Sequence, residues 1–326
     1  MRAWQVDEFG SFQDKLKLRE APCPVPDKNS VLVRVRAAGV NFPDTLVIAG
    51  AYQVRPKLPF TPGFELVGNV VQVGTGCSEV TEGERVICWT NMGAYAEYVS
   101  VRPEHIFRVP PAMTDAEAAA FLVSYQTSFF GLVHRAKLAA GEVLLVHGGA
   151  GAIGSAAIQL GKALGATVIA TAGSSKKEAI CRELHADYTV NYSTLDFVEE
   201  VRQITTDCGA NVILDPVGGE VFERSLKCIA FDGRILPVGF ASGVIPSLRV
   251  NRVLLKNISV IGLYWSEYWK HDPSLIHSTQ MKLNSLYEQG LIQPLICMTF
   301  KMDDLPEALA ALHDRRNYGK SVIMMT

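Results

Sequence analysis

The chain has 326 residues, of which 48% are hydrophobic and 20% charged, and a formal net charge of −2. That length accommodates two domains with a large core. The near-neutral charge argues against a nucleic-acid partner, and no apolar run reaches membrane-spanning length. Seven cysteines are scattered without a C-x-x-C pair, which predicts free thiols in a reducing compartment and hence a cytoplasmic protein.

The N-terminal MRAWQVDEFG has no apolar signal core and reads as entering a strand directly. Short β-rich runs follow, separated by glycine and proline turns: Val31–Ala37, Glu65–Val73, Arg85–Trp89, Ala94–Val99 and Ile106–Val109. Such a series predicts a partly closed all-β domain. After Pro110-Pro111 the pattern changes. Helices are predicted over 115–120 and 125–136, with Thr114 and Glu117 spaced as a capping box. From Val143 onward strands are expected at 143–147, 167–171, 188–191, 211–215, 234–238 and 258–263, alternating with helices at 153–164, 176–184, 194–205 and 219–229. This alternation predicts a doubly wound parallel sheet, an α/β fold. A long helix at 273–289, a short one at 305–314 and a strand at 321–325 complete the chain.

The most informative segment is VLLVHGGAGAIG, residues 143–154. An apolar strand, a glycine-rich turn and a helix follow in the order that a dinucleotide pyrophosphate requires: the glycines admit close backbone approach, and the helix N-terminus presents free N–H groups. Gly148, Ala150, Gly151, Ala152, Ile153 and Gly154 are the expected cradle. An NAD-selective site carries an acid about 20 residues beyond the glycines. Here Gly173, Ser174, Ser175, Lys176 and Lys177 follow the second strand instead. Hydroxyls and ammonium groups suit a 2′-phosphate, so NADPH is the expected cofactor, with Ser174 and Lys177 its ligands.

Several segments together resemble the medium-chain dehydrogenase/reductase superfamily, in its quinone oxidoreductase (ζ-crystallin-like) branch. They are AAGVNFPDTLVIAGAY (37–52), PGFELVGNVVQVG (62–74), GERVI (83–87), HGGAGAIG (147–154), DPVGG (215–219), GRILPVGF (233–240) and GKSVI (319–323). The resemblance implies a GroES-like β domain, residues 1–122 plus 267–326, and a Rossmann domain, residues 123–266. The C-terminal segment would cross back to complete the first domain, with the cofactor in the interdomain cleft. It further implies cofactor contacts from Thr127, Tyr192, Gly239, Phe240, Leu263, Tyr264, Trp265 and either Arg315 or Arg316.

Zinc-dependent members of that superfamily carry Cys where this chain has Asn41, and His within a G-H-E triplet where it has Gly63-Phe64-Glu65; the lobe with four clustered cysteines is missing. One carboxylate does not make a zinc site, so no metal is expected. Asn41, Asp44 and Tyr52 lie in the segment that, by resemblance, lines the nicotinamide end. Asn41 and Tyr52 carry donors suited to an oxyanion formed as hydride arrives; alternatively Asn41 and Asp44 shape a turn around Pro43, and Tyr52 packs. His147 reads as a packing or backbone-bonding residue. The implied activity is reduction of quinones or similar conjugated carbonyls such as enones. Reduction of activated C=C bonds (acrylyl or enoyl type) and a mainly non-catalytic NADPH-binding role remain alternatives. The strand 258–263 is an apolar edge, a liability unless paired, and the resemblance implies that it pairs with its symmetry mate in a homodimer.

Overall fold

In the computed structural model, which describes residues 1–325, the chain forms two units: Met1–Val123 together with the segment from Pro294 onward, and Ser124–Gln293. In the first, β1 (Arg2–Val6) and β2 (Leu16–Glu20) pair antiparallel. β3 (Val31–Gly39), β4 (Glu65–Val73), β5 (Arg85–Trp89), β6 (Tyr98–Val101) and β7 (Ile106–Arg108) build a larger sheet. The alternation of Val and Arg over 31–36 sets β3: Val31, Val33 and Val35 are buried, while Arg34 and Arg36 face solvent. The strand expected at 94–99 forms only as Tyr98–Val101, because Ala94 to Ala96 is held by isolated bonds, to Pro62 O and Gly63 O in a loop and from Trp4 N–H of β1 to Tyr95 O.

The second unit contains the predicted parallel sheet. Its strands are β8 (Val143–Val146), β9 (Thr167–Ala172), β10 (Tyr188–Asn191), β11 (Ala210–Asp215), β12 (Ile229–Pro237) and β13 (Ser259–Val260), in spatial order β10-β9-β8-β11-β12-β13. The order reverses between β8 and β11, the switch point where ligands bind such sheets. Helices 115–120 and 125–136 are instead one continuous helix, Asp115–Phe129, which widens into a π-turn at Phe130–Arg135. The intervening FLVS contains no helix breaker, so nothing interrupts it. Thr114 and Glu117 do form the capping box: the Thr114 N–H donates to Glu117 Oε2 at 2.9 Å, and the Glu117 N–H to Thr114 Oγ1 at 3.3 Å. The sixth strand of this sheet is only Ser259–Val260, shorter than the predicted 258–263.

The chain then returns to the first unit. β14 (Ile296–Lys301) runs parallel to β15 (Lys320–Met324), and β15 pairs antiparallel with β3, so the C-terminal segment completes the first sheet. The boundary differs from expectation: residues 267–293 belong to the second unit. The helix Pro273–Glu288 is tied there by Gln126 Nε2, which donates to Ile276 O at 3.1 Å and Gln280 Oε1 at 3.0 Å, and Gln293 N–H donates to Gln159 Oε1 at 2.6 Å.

Candidate functional site

At the carboxyl end of β8 the glycine turn closes onto its neighbours. Gly149 N–H donates to Thr171 O at 2.9 Å, and Gly151 N–H to Gly148 O at 2.8 Å. A methyl at Gly154 would lie 2.2 Å from Gly148 O, so only glycine allows the helix Ala152–Ala163 to start this close to the turn. No side chain caps that helix. The N–H groups of Ala152, Ile153 and Gly154 therefore begin an uncapped first turn, the feature that binds phosphate at a helix N-terminus. Thr127 is half-buried in the adjacent helix, whose Ser128 hydroxyl donates to Ile153 O at 3.1 Å.

The residues expected at the adenine end lie at the ends of β9 and β10. Ser174 caps the helix Ser175–Glu183, its hydroxyl oxygen accepting from Lys177 N at 3.3 Å. Tyr192 stands over Gly173: a methyl there would come within 2.4 Å of the Tyr192 hydroxyl. Gly173, Ser174, Lys177 and Tyr192 thus gather at the ends of β9 and β10. Glu178, the acid in the first turn of that helix, is turned to Arg182 and Thr189.

On the other side of the switch point, Asp215 ends β11. Its Oδ1 accepts from Val217 N at 2.8 Å and Gly218 N at 3.0 Å, and burial pushes its carboxyl above the usual range. This anchors the DPVGG turn against Gly239 and Phe240, which follow β12. Leu263 packs over Gly131 of the π-turn; Tyr264 is exposed and Trp265 buried. Of the two arginine candidates, Arg316 pairs with Asp314 at 3.3 Å, while Arg315 takes a left-handed conformation (φ 57°) after its helix.

In the first unit, Asn41, Glu65 and Lys320 converge because β15, β3 and β4 are adjacent strands. Asn41 follows β3 and begins the helix Phe42–Ile48. Its Nδ2 donates to Gly39 O at 3.2 Å and to Glu65 Oε1 at 3.0 Å, while its Oδ1 accepts from Lys320 Nζ at 2.6 Å. Both amide hydrogens are therefore committed within the protein. This corrects the expected role of Asn41 as an oxyanion donor: in this arrangement it orders the site from within. The Asn41 N–H donates to Asp44 Oδ2 at 2.7 Å, so the alternative of a shaped turn around Pro43 is the one observed. The Tyr95 hydroxyl donates to the same carboxylate oxygen at 2.5 Å. Burial pushes Asp44 up to about 7, against the opposing pull of Tyr95, the Asn41 N–H and Lys320. Tyr52 sets its ring edge-on to Phe64, with centroids 6.1 Å apart.

Three contributors escaped the sequence reading. Lys320 lies within GKSVI, and nothing local marks it as buried. Tyr95 was read as part of a strand. His147 was read as a packing or backbone-bonding residue, yet its ring bonds side chains, Thr171 Oγ1 at 3.1 Å and Ser225 Oγ at 2.8 Å, beneath the glycine turn.

Comparison with known proteins bears on this geometry. Residues 27–111 match the alcohol dehydrogenase GroES-like domain family, and residues 152–277 the zinc-binding dehydrogenase family. A quinone oxidoreductase-like protein 2 homolog of Nematostella vectensis is 39% identical over 90% of this chain and 81% of its own length. The chain belongs to the medium-chain dehydrogenase/reductase superfamily, in its quinone oxidoreductase branch. Among solved structures of this oxidoreductase family, the Escherichia coli quinone oxidoreductase complexed with NADPH aligns with a TM-score of 0.93 at 27% identity, covering 100% of both chains. The CurK enoyl reductase aligns at 0.90 with 28% identity, over 100% of this chain and 99% of its own.

Proposed function

We propose that this chain is a zinc-independent, NADPH-dependent reductase of quinones and similar conjugated carbonyls, working as a cytoplasmic homodimer. The observation that carries the cofactor assignment is the pairing of a glycine turn closed to any side chain at Gly154 with an acid-free Ser174–Lys177 cap beside Tyr192. The NADPH-bound Escherichia coli relative supports it. The cradle fits the pyrophosphate through the uncapped first turn at Ala152–Gly154, and Ser174 and Lys177 suit the 2′-phosphate. Bound NADPH would supply the hydride. The chain's own residues then bind and orient: Thr127, Gly239, Phe240, Leu263, Tyr264 and Trp265 are proposed as further cofactor contacts, with Arg316 or Arg315 as a basic one.

Zinc independence rests on side chains. Asn41 and Phe64 replace thiolate and imidazole, and Glu65, the remaining carboxylate, is bonded to Lys320, Asn41 and Val123 N. Tyr52 is the proposed donor to the acceptor's oxygen, and Asp44 and Asn41 order its surroundings. An easily reduced quinone needs little electrophilic help, which suits such a site. The dimer is supported by exposed apolar side chains around the sheet edge at β13, including Phe231, Val250, Leu254, Leu255 and Val260, because an apolar edge left bare invites pairing. All seven cysteines are unpaired, which supports a reducing compartment.

The test is NADPH oxidation by dialysed, metal-analysed protein against a panel of quinones, enones and enoyl thioesters. The proposal expects quinone turnover without stoichiometric zinc. Preferred turnover of enoyl thioesters would favour C=C reduction, the reading supported by the likeness to the CurK enoyl reductase. NADPH binding with no turnover of any acceptor would leave a binding protein.

A further inference from the structure

We propose that Lys320 is a positioning residue of this reductase: its sealed ammonium fixes the orientation of the Asn41 amide and, through it, the head of the helix that carries Asp44. The inference rests on the reading of the chain as a reductase.

Lys320 and Glu65 are withdrawn from solvent, with side-chain exposures of 4% and 0%, and their charged atoms lie 2.5 Å apart. The same ammonium donates to Asn41 Oδ1 across 279 residues of sequence. A lysine offers only donors and a carboxylate only acceptors. The Asn41 amide between them therefore has one orientation, oxygen toward Lys320 and nitrogen toward Glu65. Glu65 is itself held from a third side, since its Oε2 accepts from Val123 N at 2.9 Å. The space is closed: a methyl on Gly39 would come within 2.8 Å of Glu65 Oε1 and 2.3 Å of Ala119 O. With its amide locked, Asn41 presents its backbone N–H to Asp44, whose carboxylate also receives the Tyr95 hydroxyl. Lys320 thus bonds the side chain of Asn41, the backbone of the same residue bonds Asp44, and Asp44 bonds Tyr95. One end is anchored on the last strand and the other on Tyr95, and Asp44 between them lies in the helix Phe42–Ile48, which precedes Tyr52 in the chain.

A purely structural ion pair and a positioning device predict different outcomes. Removing one charge of a buried pair leaves the other uncompensated, whereas removing both relieves that cost. Lys320→Met alone and Lys320→Met with Glu65→Gln should be compared with the unaltered protein by melting temperature, NADPH affinity from fluorescence titration, and kcat and KM for a quinone. A fourth readout is the side-chain amide resonances of Asn41, assigned by their loss in Asn41→Ala. The expected result is that the double variant recovers the melting temperature, binds NADPH as before, and still loses kcat by about a hundredfold, the scale of a small misplacement. KM should change little, and the Asn41 amide protons should exchange faster with solvent in both variants. The proposal is overturned if kcat returns together with the melting temperature in the double variant, or if the Asn41 amide protons stay protected. Should the unaltered protein reduce no acceptor, the reductase reading fails by itself; the amide resonances still decide whether Lys320 locks Asn41.

Discussion

His147 Nε2 lies 2.8 Å from Ser225 Oγ, and the hydroxyl of that serine is already donated to Val221 O at 2.7 Å. The serine oxygen is thus left to accept, so the hydrogen of the neutral ring sits on Nε2. Nδ1 then accepts from the Thr171 hydroxyl at 3.1 Å. Thr171 also holds Gly149 through its backbone carbonyl. One neutral imidazole thereby ties β8, β9 and the helix Gly219–Cys228 together under the cofactor turn.

Burial holds His147 down at about 3, from an ordinary value of 6.5. Between those values the unfolded chain takes up a proton that the folded protein refuses. Stability from this group is therefore complete above about pH 6.5 and is lost as pH falls toward 3, at about 1.4 kcal/mol per unit. His147→Gln should be less stable than the unaltered protein at pH 7, by about 1–3 kcal/mol for the disturbed buried bonds, and should show a shallower acid limb. Urea unfolding at pH 7, 5.5 and 4.5 measures this. Parallel acid limbs would show that the histidine is not buried neutral.

Much of the fold was legible because the pattern was local. The switch from short alternating strands to strand–helix repeats after Pro110-Pro111 marked the two folds, and β4, β5 and β10 match their sequence-based bounds to the residue. The glycine turn was legible for the same reason, since strand, glycines and helix follow one another in one short segment, whereas the capping of the next helix by Ser174 was not read from the sequence. What stayed hidden depends on distant pairing. Lys320 looks like any surface lysine until β15 lies against β3, and the Asn41 donor reading failed because both acceptors for its amide, Gly39 O and Glu65, are supplied by the folded sheet. The segment 267–293 was misassigned because its ties run to Gln126 and Gln159, far back in the chain.

Gly154→Ala should disable the cofactor turn while leaving the fold intact. The added methyl meets a backbone oxygen at 2.2 Å, which no side-chain rotation relieves, so the turn must move. NADPH affinity should fall by at least about tenfold, consistent with about 1.4 kcal/mol or more. By contrast, Gly173→Ala meets the outer end of the exposed Tyr192 side chain, its hydroxyl and the adjoining ring carbons, which can swing aside, and should have a smaller effect. Titration of cofactor fluorescence ranks the two; an equal loss would refute the distinction.

Lys177→Ala should discriminate the cofactors. A charge-assisted bond to phosphate contributes about 1.5–3 kcal/mol, or one to two decades in affinity. NADPH binding should weaken by that factor, with NADH binding nearly unchanged. Equal losses for both cofactors would move Lys177 away from the 2′-phosphate.

Tyr52→Phe keeps the ring that packs on Phe64 and removes only the hydroxyl. Loss of one preorganised donor costs about 10²–10³ in rate where charge develops strongly. A sluggish enone should therefore slow by more than a reactive quinone does. The same fractional loss with both acceptors would instead mark the hydroxyl as a positioning group.

Asp44 offers the complementary pH test to His147, with the opposite sign. Burial raises its carboxyl from 3.8 to about 7 despite the two donors on Oδ2, and its Oδ1 has no hydrogen-bond partner among the described residues. Between about pH 4 and 7 the folded protein holds a proton that the unfolded chain has released. Stability from this group is thus greatest at the acid end, falls as pH rises through that window, and is fully lost above 7. Asp44→Asn keeps an acceptor for the Asn41 N–H and the Tyr95 hydroxyl but cannot ionise. Its melting temperature should lie close to that of the unaltered protein near pH 4.5 and gain on it steadily toward pH 7.5, where the buried carboxylate is charged. A difference that stays constant over this range would mean that Asp44 ionises in the folded protein as easily as it does in water.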